Sequence, residues 1–299
     1  MLFYEQKIRL LGNDLIMVGI LFWNTCITNK SKTDTQHISR IEDAIVNIVQ
    51  ETDCDIIVLA EFNSPITGLC NKLSLIGRDF RERKSIAGNA RVKILADNRI
   101  LSEIIRESRY YIIHNFNLTG YHFLLGGVHF PSKLCTEPKD VEVVGSDFIC
   151  ATKESERETK HEKVIMIGDF NANPFEPIIT DFGYLHAIFD SSTVEQARSR
   201  ELFGIKKQIF YNPMWNLLGD ANYPKGSYYS NSGKASKLFW NIFDQVIISA
   251  DIIKAYKKDS LKILTGVGDK CFVNKNGKPD EILYSDHLPL FFALQEDLL

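Results

Sequence analysis

The stretch Val164-Ile-Met-Ile-Gly-Asp-Phe-Asn-Ala-Asn-Pro-Phe-Glu176 constrains the fold more than any other part of the chain. A continuous apolar run bounded by turn-forming residues is the pattern of a strand buried on both faces. It ends in a carboxylate and a carboxamide two residues apart. Side chains at i and i+2 share one face of a strand. Asp169 and Asn171 are therefore expected to project together from the strand's carboxyl end, where α/β sheets place ligands and chemistry. Asn173 and Pro174 then stop the strand.

Four further apolar runs end in polar residues of the kinds that metal-assisted phosphoester hydrolysis needs. They are Leu21-Phe-Trp-Asn24, Ile56-Ile-Val-Leu-Ala-Glu61, Leu124-Leu-Gly-Gly-Val-His129, and Tyr284-Ser-Asp-His287 before Leu288-Pro-Leu-Phe-Phe292. Adjacent residues in a regular strand face opposite ways, so Asp286 and His287 can serve one site only from a turn, which Pro289 supports.

Between these runs, Ile38, Ile41, Ile45, Ile48 and Val49 form the stripe of an amphipathic helix over 35–50, with Asp34 or Thr35 as its N-cap. Tyr110–Phe116 and Tyr121–His129 flank Asn117-Leu-Thr-Gly120 and pattern as a hairpin. A second helix is expected from Lys139 to about Glu158, feeding the strand at Val164. Helices alternating with strands and hairpins give mixed sheets with helices outside.

At 299 residues and 44% hydrophobic content the chain can bury a full core. Because the candidate polar residues run from Asn24 to His287, any cut between them would split the site, and a single domain over 1–299 is expected. Six cysteines (Cys26, Cys54, Cys70, Cys135, Cys150, Cys271) lack CxxC spacing, which fits a reducing, cytoplasmic setting. The apolar run Leu15–Trp23 is too short to span a bilayer, and no membrane association is expected. A net charge of −3 argues against coating nucleic acid by bulk electrostatics, so a protein partner supplying nucleic-acid affinity would fit. Locally, seven Lys/Arg against three acids between Arg78 and Arg99 describe either an exposed hairpin or a phosphate-tracking rim. The aromatic loops Tyr211-Asn-Pro-Met-Trp215 and Lys225-Gly-Ser-Tyr-Tyr229 either stack bases or pack beneath long loops.

Taken in order, WN, LAE, GGVHFPS, GDFNANP, FDQVI and YSDHLP resemble the endonuclease/exonuclease/phosphatase superfamily, which includes deoxyribonuclease I and the exonuclease III type abasic endonucleases. The resemblance spans about residues 18–293. It implies an α/β fold of two mixed β-sheets packed face to face between helical layers, a four-layer sandwich with the site at one end.

It also implies a Mg²⁺-dependent phosphodiesterase, with Mn²⁺ a plausible substitute. Mg²⁺ takes one or two carboxylates and keeps waters; Glu61 and Asp286 are the expected ligands, joined by Asn24. The resemblance makes His287 the base or water-orienting group and Asp244 the acid that fixes its tautomer. Asp169 and Asn171 would hold the attacking water and transition-state oxygens, and either Asp169 or His287 takes the proton. His129 would contact the scissile phosphate or assist the leaving group. The expected substrate is nucleic acid, DNA first, cleaved by direct in-line water attack. A small phosphoester, or a catalytically silent scaffold of the same fold, are the alternatives. Two departures stand out: Cys26 occupies the position where the abasic endonucleases carry a second acid, and the arginine that deoxyribonuclease I places two residues after its glutamate is Asn63.

Overall fold

A computed structural model describes residues 17–28, 34–86, 88, 91–118, 120–132, 137–231 and 238–299. Leu15, Ile16, Thr119 and Cys135 lie outside the described residues.

The chain opens with strand β1 (Met17–Ile27), buried along nearly its whole length. Helix α1 (Thr35–Thr52) follows; the Asp34 carboxylate caps it by accepting from the His37 N–H at 3.0 Å, and Asp53 ends it in a left-handed conformation. Ile38, Ile41, Ile45, Ile48 and Val49 are all buried, as the periodicity requires. Strand β2 (Cys54–Phe62), the short helix α2 (Thr67–Leu75), and strands β3 (Phe80–Arg83) and β4 (Val92–Asp97) come next. A three-strand meander continues with β5 (Leu101–Glu107), β6 (Tyr111–Leu118) and β7 (Tyr121–His129). Helix α3 (Pro138–Thr159) then leads to β8 (Val164–Asp169). Short strands β9 (Ala187–Ile188), β10 (Ser199–Leu202), β11 (Ile205–Gln208) and β12 (Phe210–Tyr211) precede β13 (Asp244–Ile248), β14 (Lys262–Ile263) and β15 (Leu290–Gln295).

The strands build two large mixed sheets. One has the order β14-β15-β1-β2-β4-β3 and the other β5-β6-β7-β8-β13-β12-β9. In the first, β1 and β2 are parallel, joined through α1; in the second, β7 and β8 are parallel, joined through α3. The remaining large pairings, apart from the parallel β9–β12 contact, are antiparallel. A helical crossover between parallel neighbours returns the chain to the same end of the sheet. Each sheet therefore sends two adjacent carboxyl ends to one rim: Asn24 and Glu61 from the first, His129 and Asp169 from the second.

The interior between the sheets is filled by Ile20, Phe22, Val58 and Ile94 from one side and Leu125, Ile165, Ile167 and Val246 from the other. The outer face of the second sheet packs on α3 through Leu124, Met166 and Phe148. Gly126 and Gly127 let β7 approach both layers at once. A Cβ on Gly126 would sit 2.9 Å from the Phe148 ring of α3, and one on Gly127 3.0 Å from Val92 of the opposite sheet. The arrangement is an α/β sandwich of the deoxyribonuclease I type. Among the described residues no helix is long and apolar enough to cross a membrane.

Candidate active site

The rim where the four strand ends meet opens into a cavity of about 570 Å³. Seven of the eight residues singled out in the sequence line it: Asn24, Glu61, His129, Asp169, Asn171, Asp286 and His287. The eighth, Asp244, lies fully buried behind His287.

Local backbone geometry aims these groups. The β1–β2 ladder slips register between Asn24 and Ile27, and Cys26 within the slip adopts φ 53°. Glu61, at the matching end of β2, has φ 51°. Such left-handed backbone is uncommon for residues with a Cβ, and here it turns two strand ends toward the cavity. Gly168 precedes Asp169 because nothing larger fits: at φ 154° an added Cβ would lie 2.0 Å from the Val128 carbonyl oxygen.

Asp169 and Asn171 reach the cavity by a different route from the one their spacing suggests. The strand ends at Asp169, and Asn171 lies beyond it at φ 48°. The Asn171 backbone N–H donates to Asp169 Oδ1 at 2.8 Å, and its side-chain Nδ2 donates to the Phe130 carbonyl at 3.0 Å. The carboxylate thus organises its own following turn, in the manner of an Asx turn, which the i, i+2 argument did not anticipate.

Asp169 also accepts from Asn24 Nδ2 at 3.0 Å, while Asn24 Oδ1 accepts from the Cys26 N–H at 3.2 Å. Burial raises the Asp169 pKa, with Asp244 adding to the rise and His287 and His129 opposing it. His287 Nδ1 lies 2.8 and 3.0 Å from the two Asp244 oxygens, and its Nε2 lies 3.9 Å from Asp169 Oδ2. Burial pulls the His287 pKa down, but Asp244 and Asp169 pull harder in the other direction, and the balance leaves it raised to about 10. The turn carrying Asp286 and His287 is tied down by Trp23 Nε1, which donates to the His287 carbonyl at 2.9 Å, and by the Ser285 hydroxyl, which donates to the Asn24 carbonyl at 2.7 Å.

His129 is buried, and burial lowers its pKa. Its Nε2 faces Glu61 Oε1 at 3.3 Å, and its Nδ1 has no partner among the described residues. Cys26 stands beside Asp286 and near Glu61; burial, helped by both carboxylates, raises its thiol pKa to about 12.

Four acids (Glu61, Asp169, Glu176, Asp286) line the cavity among its described residues, and no Lys or Arg does. Glu61 and Asp286 are half-buried and open to the cavity. Hard oxygen donors left without a cationic side chain are the donor set a divalent metal takes. A tighter cluster, Asp169, Asp244 and His287, brings its ligand atoms within 4.8 Å of one another. There, however, His287 and Asp244 already satisfy each other, so the trio is better built to hold a proton than a metal.

Sequence reasoning missed several contributors. Asn173 Nδ2 donates to Asn241 Oδ1 at 3.0 Å and its Oδ1 accepts from the Ile242 N–H at 2.9 Å, pinning the loop after β8 to the strand before Asp244. Phe175 and Leu238 add apolar lining, and Tyr228, from the aromatic loop Lys225–Tyr229 already singled out in the sequence, packs at a tilt against His287 with ring centroids 4.6 Å apart. The aromatic loop at Tyr211 instead packs inward, with Tyr211 and Met214 buried.

The basic run also resolves. Arg78 pairs with Asp53 at 2.7 Å and Asp55 at 3.0 Å, Arg81 with Asp79 at 3.3 Å, and Arg99 with Asp97 at 2.7 Å. Arg83 donates to the Asp97 and Ile100 carbonyls, and Lys93 to that of Ser64. As a whole the run is not a phosphate-tracking rim, because its charges are spent holding the first sheet's edge. Lys84, which is exposed, and Arg91 are the exceptions; the Arg91 guanidinium lies 5.2 Å from the centre of the Tyr110 ring, with that of Arg109 5.7 Å away. The Glu61 N–H donates to the Arg91 carbonyl and the His129 N–H to that of Tyr110, so Arg91 and Tyr110 adjoin the site, and Arg109 adjoins Arg91, whose N–H donates to its carbonyl.

No family model matches the chain, and no curated protein matches it by sequence. Solved structures do match in shape. An endonuclease/exonuclease/phosphatase family protein from Bacteroides thetaiotaomicron superposes with a TM-score of 0.56 at 15% identity, covering 96% of this chain and 100% of its own. D. rerio TDP2 complexed with a single-strand DNA product gives 0.51 at 15% identity, covering 93% and 98%. A mannosyl-6-phosphatase from Bacteroides thetaiotaomicron gives 0.52 at 13% identity, covering 93% and 99%. At these identities the likeness is one of architecture, and the chain has the endonuclease/exonuclease/phosphatase fold.

Proposed function

We propose that the protein is a divalent-metal-dependent phosphodiesterase, and that its substrate is a DNA strand. The observation that carries the reading is the Asp244–His287–Asp169 chain opening onto the same cavity as Glu61 and Asp286. Glu61 and Asp286 would hold the cation, Mg²⁺ first, with Asn24 beside them. When bound it would supply charge neutralisation at the phosphoryl group.

The side chains divide the remaining work. With its pKa raised to about 10, His287 is an imidazolium at neutral pH and donates from Nε2 to a phosphoryl oxygen as charge builds there. Asp244 holds that ring by Nδ1. Asp169, oriented by Asn24 and by the Asn171 N–H, is then the group that takes the proton of the attacking water. Asn171 flanks the same position. His129, kept neutral by burial, orients Glu61 and stands on the leaving-group side.

Two arginines around one tyrosine at the Glu61–His129 border favour a strand: guanidinium groups suit neighbouring phosphates and an aromatic face suits a base. The likeness to D. rerio TDP2 with its single-strand DNA product is in keeping with this. A second reading, a small phosphoester, draws on the absence of Lys or Arg from the described cavity lining and on the likeness to a mannosyl-6-phosphatase.

The test incubates purified protein with plasmid, single-stranded DNA, RNA and a panel of sugar and nucleotide phosphates, in Mg²⁺ or EDTA. Metal-dependent cleavage of DNA is expected. Turnover confined to the small phosphates would favour the second reading, and metal-independent or absent hydrolysis throughout would remove both.

A further inference from the structure

A second cavity, of about 630 Å³, lies between the later turns of α3 and the β10–β11 hairpin. It shares no lining residue with the candidate active site. Since α3 carries the chain from the carboxyl end of β7 to the amino end of β8, its last turns and Glu162 sit at the end of the sheet opposite Asp169.

Five cations line this cavity, Lys153, Arg157, Arg198, Lys206 and Lys207, against two acids, Glu154 and Glu162. The excess is opposite in sign to the −3 of the whole chain. Two of the cations are answered: Lys153 pairs with Glu156 at 2.7 Å and Arg198 with Asp251 at 2.6 Å. Glu154 and Glu162 are themselves partly engaged, by Arg106 at 3.6 Å and by Arg198 at 3.9 Å. Among the described residues no carboxylate lies within salt-bridge distance of Arg157, Lys206 or Lys207. Lys207 reaches the Gly183 carbonyl and the Phe182 ring. The floor is apolar and aromatic, with Ile149, Tyr184 and Phe210.

We infer that this cavity is a second, non-catalytic site for a nucleoside diphosphate or a close relative of one. Three unanswered cations on two facing elements match a ligand with two or three negative charges, and Arg and Lys are the side chains that hold phosphate oxygens. The volume lies within the range of small-molecule sites, and an apolar floor with a charged rim suits a flat base bearing phosphates. Engaging both α3 and the hairpin, such a ligand clamps the hairpin onto the helix.

Cys150 provides the readout, because it is exposed and lines this cavity. Alkylation of the full-length protein by iodoacetamide in EDTA is followed peptide by peptide. ADP at about four times its Kd slows Cys150 modification about fivefold, since only the unliganded chain reacts. Pyrophosphate protects more weakly, adenosine does not protect, and the exposed Cys271 is unaffected. The double variant R157E/K206E loses the protection while its circular dichroism stays that of the parent. The inference is overturned if ADP does not slow Cys150, if chloride at equal ionic strength slows it equally, if adenosine alone protects, or if the double variant is protected like the parent.

Discussion

At the scale of single residues, burial and close neighbours together hold each side chain of the site in place. Asp244 is fully buried, and its two oxygens meet one imidazole nitrogen of His287. Asp244→Asn is expected to keep the fold, lower the His287 pKa and reduce kcat by about 10³-fold, as when a triad carboxylate is neutralised; steady-state kinetics check this. His287 also makes a stability prediction. Its folded pKa of about 10 lies above the ordinary 6.5. The stabilisation it contributes is therefore complete below pH 6.5 and is lost as pH rises toward about 10. Urea denaturation of parent and His287→Gln should show their stability difference shrinking across that window, and a constant difference would contradict the assignment. At the border, the pair R91A/R109A is expected to raise KM for an oligonucleotide about tenfold, from the loss of charge-assisted contacts. Its kcat, and its rate on bis(p-nitrophenyl) phosphate, should stay near parental values.

At the scale of elements, two crossovers explain why residues far apart in sequence converge. β1-α1-β2 and β7-α3-β8 each deliver a pair of parallel carboxyl ends, and the two sheets face each other so that the four ends share one rim. Much of this is legible in the sequence. Long buried runs such as Ile56–Ala60 and the stripe Ile38–Val49 carry unambiguous periodicity, and the boundaries of α1 and α3 follow from it. What is not legible is the tertiary accounting. Nothing in the order of residues says that Arg78 is consumed by Asp53 and Asp55 while Arg91 is left at the site border. Short strands such as β9–β12 carry too few residues for a pattern and form only because a neighbour offers its edge. The turn at Asn171 escaped because a carboxylate accepting from a backbone N–H two residues on overrides strand geometry. Gly168 tests this level: Gly168→Ala should cost about 2 kcal/mol or more in chemical denaturation, because the clash is with backbone that cannot rotate away.

At the scale of the whole molecule, the site depends on both sheets staying docked, since Asn24 of one donates to Asp169 of the other and Trp23 holds the turn bearing His287. We propose that residues 1–299 unfold as one unit, and calorimetry should show a single transition with loss of activity coincident with it. The proposed activity depends above all on Glu61 and Asp286 sharing a cation at this rim. Its most direct test is Mn²⁺ binding to the purified protein, read by electron paramagnetic resonance, for the parent, Glu61→Gln, Asp286→Asn and Asp244→Asn. One tight Mn²⁺ per chain is predicted, weakened about tenfold or more by either of the first two substitutions and little changed by the third. Binding that survives Glu61→Gln and Asp286→Asn but is lost in Asp244→Asn would place the metal in the buried Asp169–Asp244–His287 cluster and contradict the account.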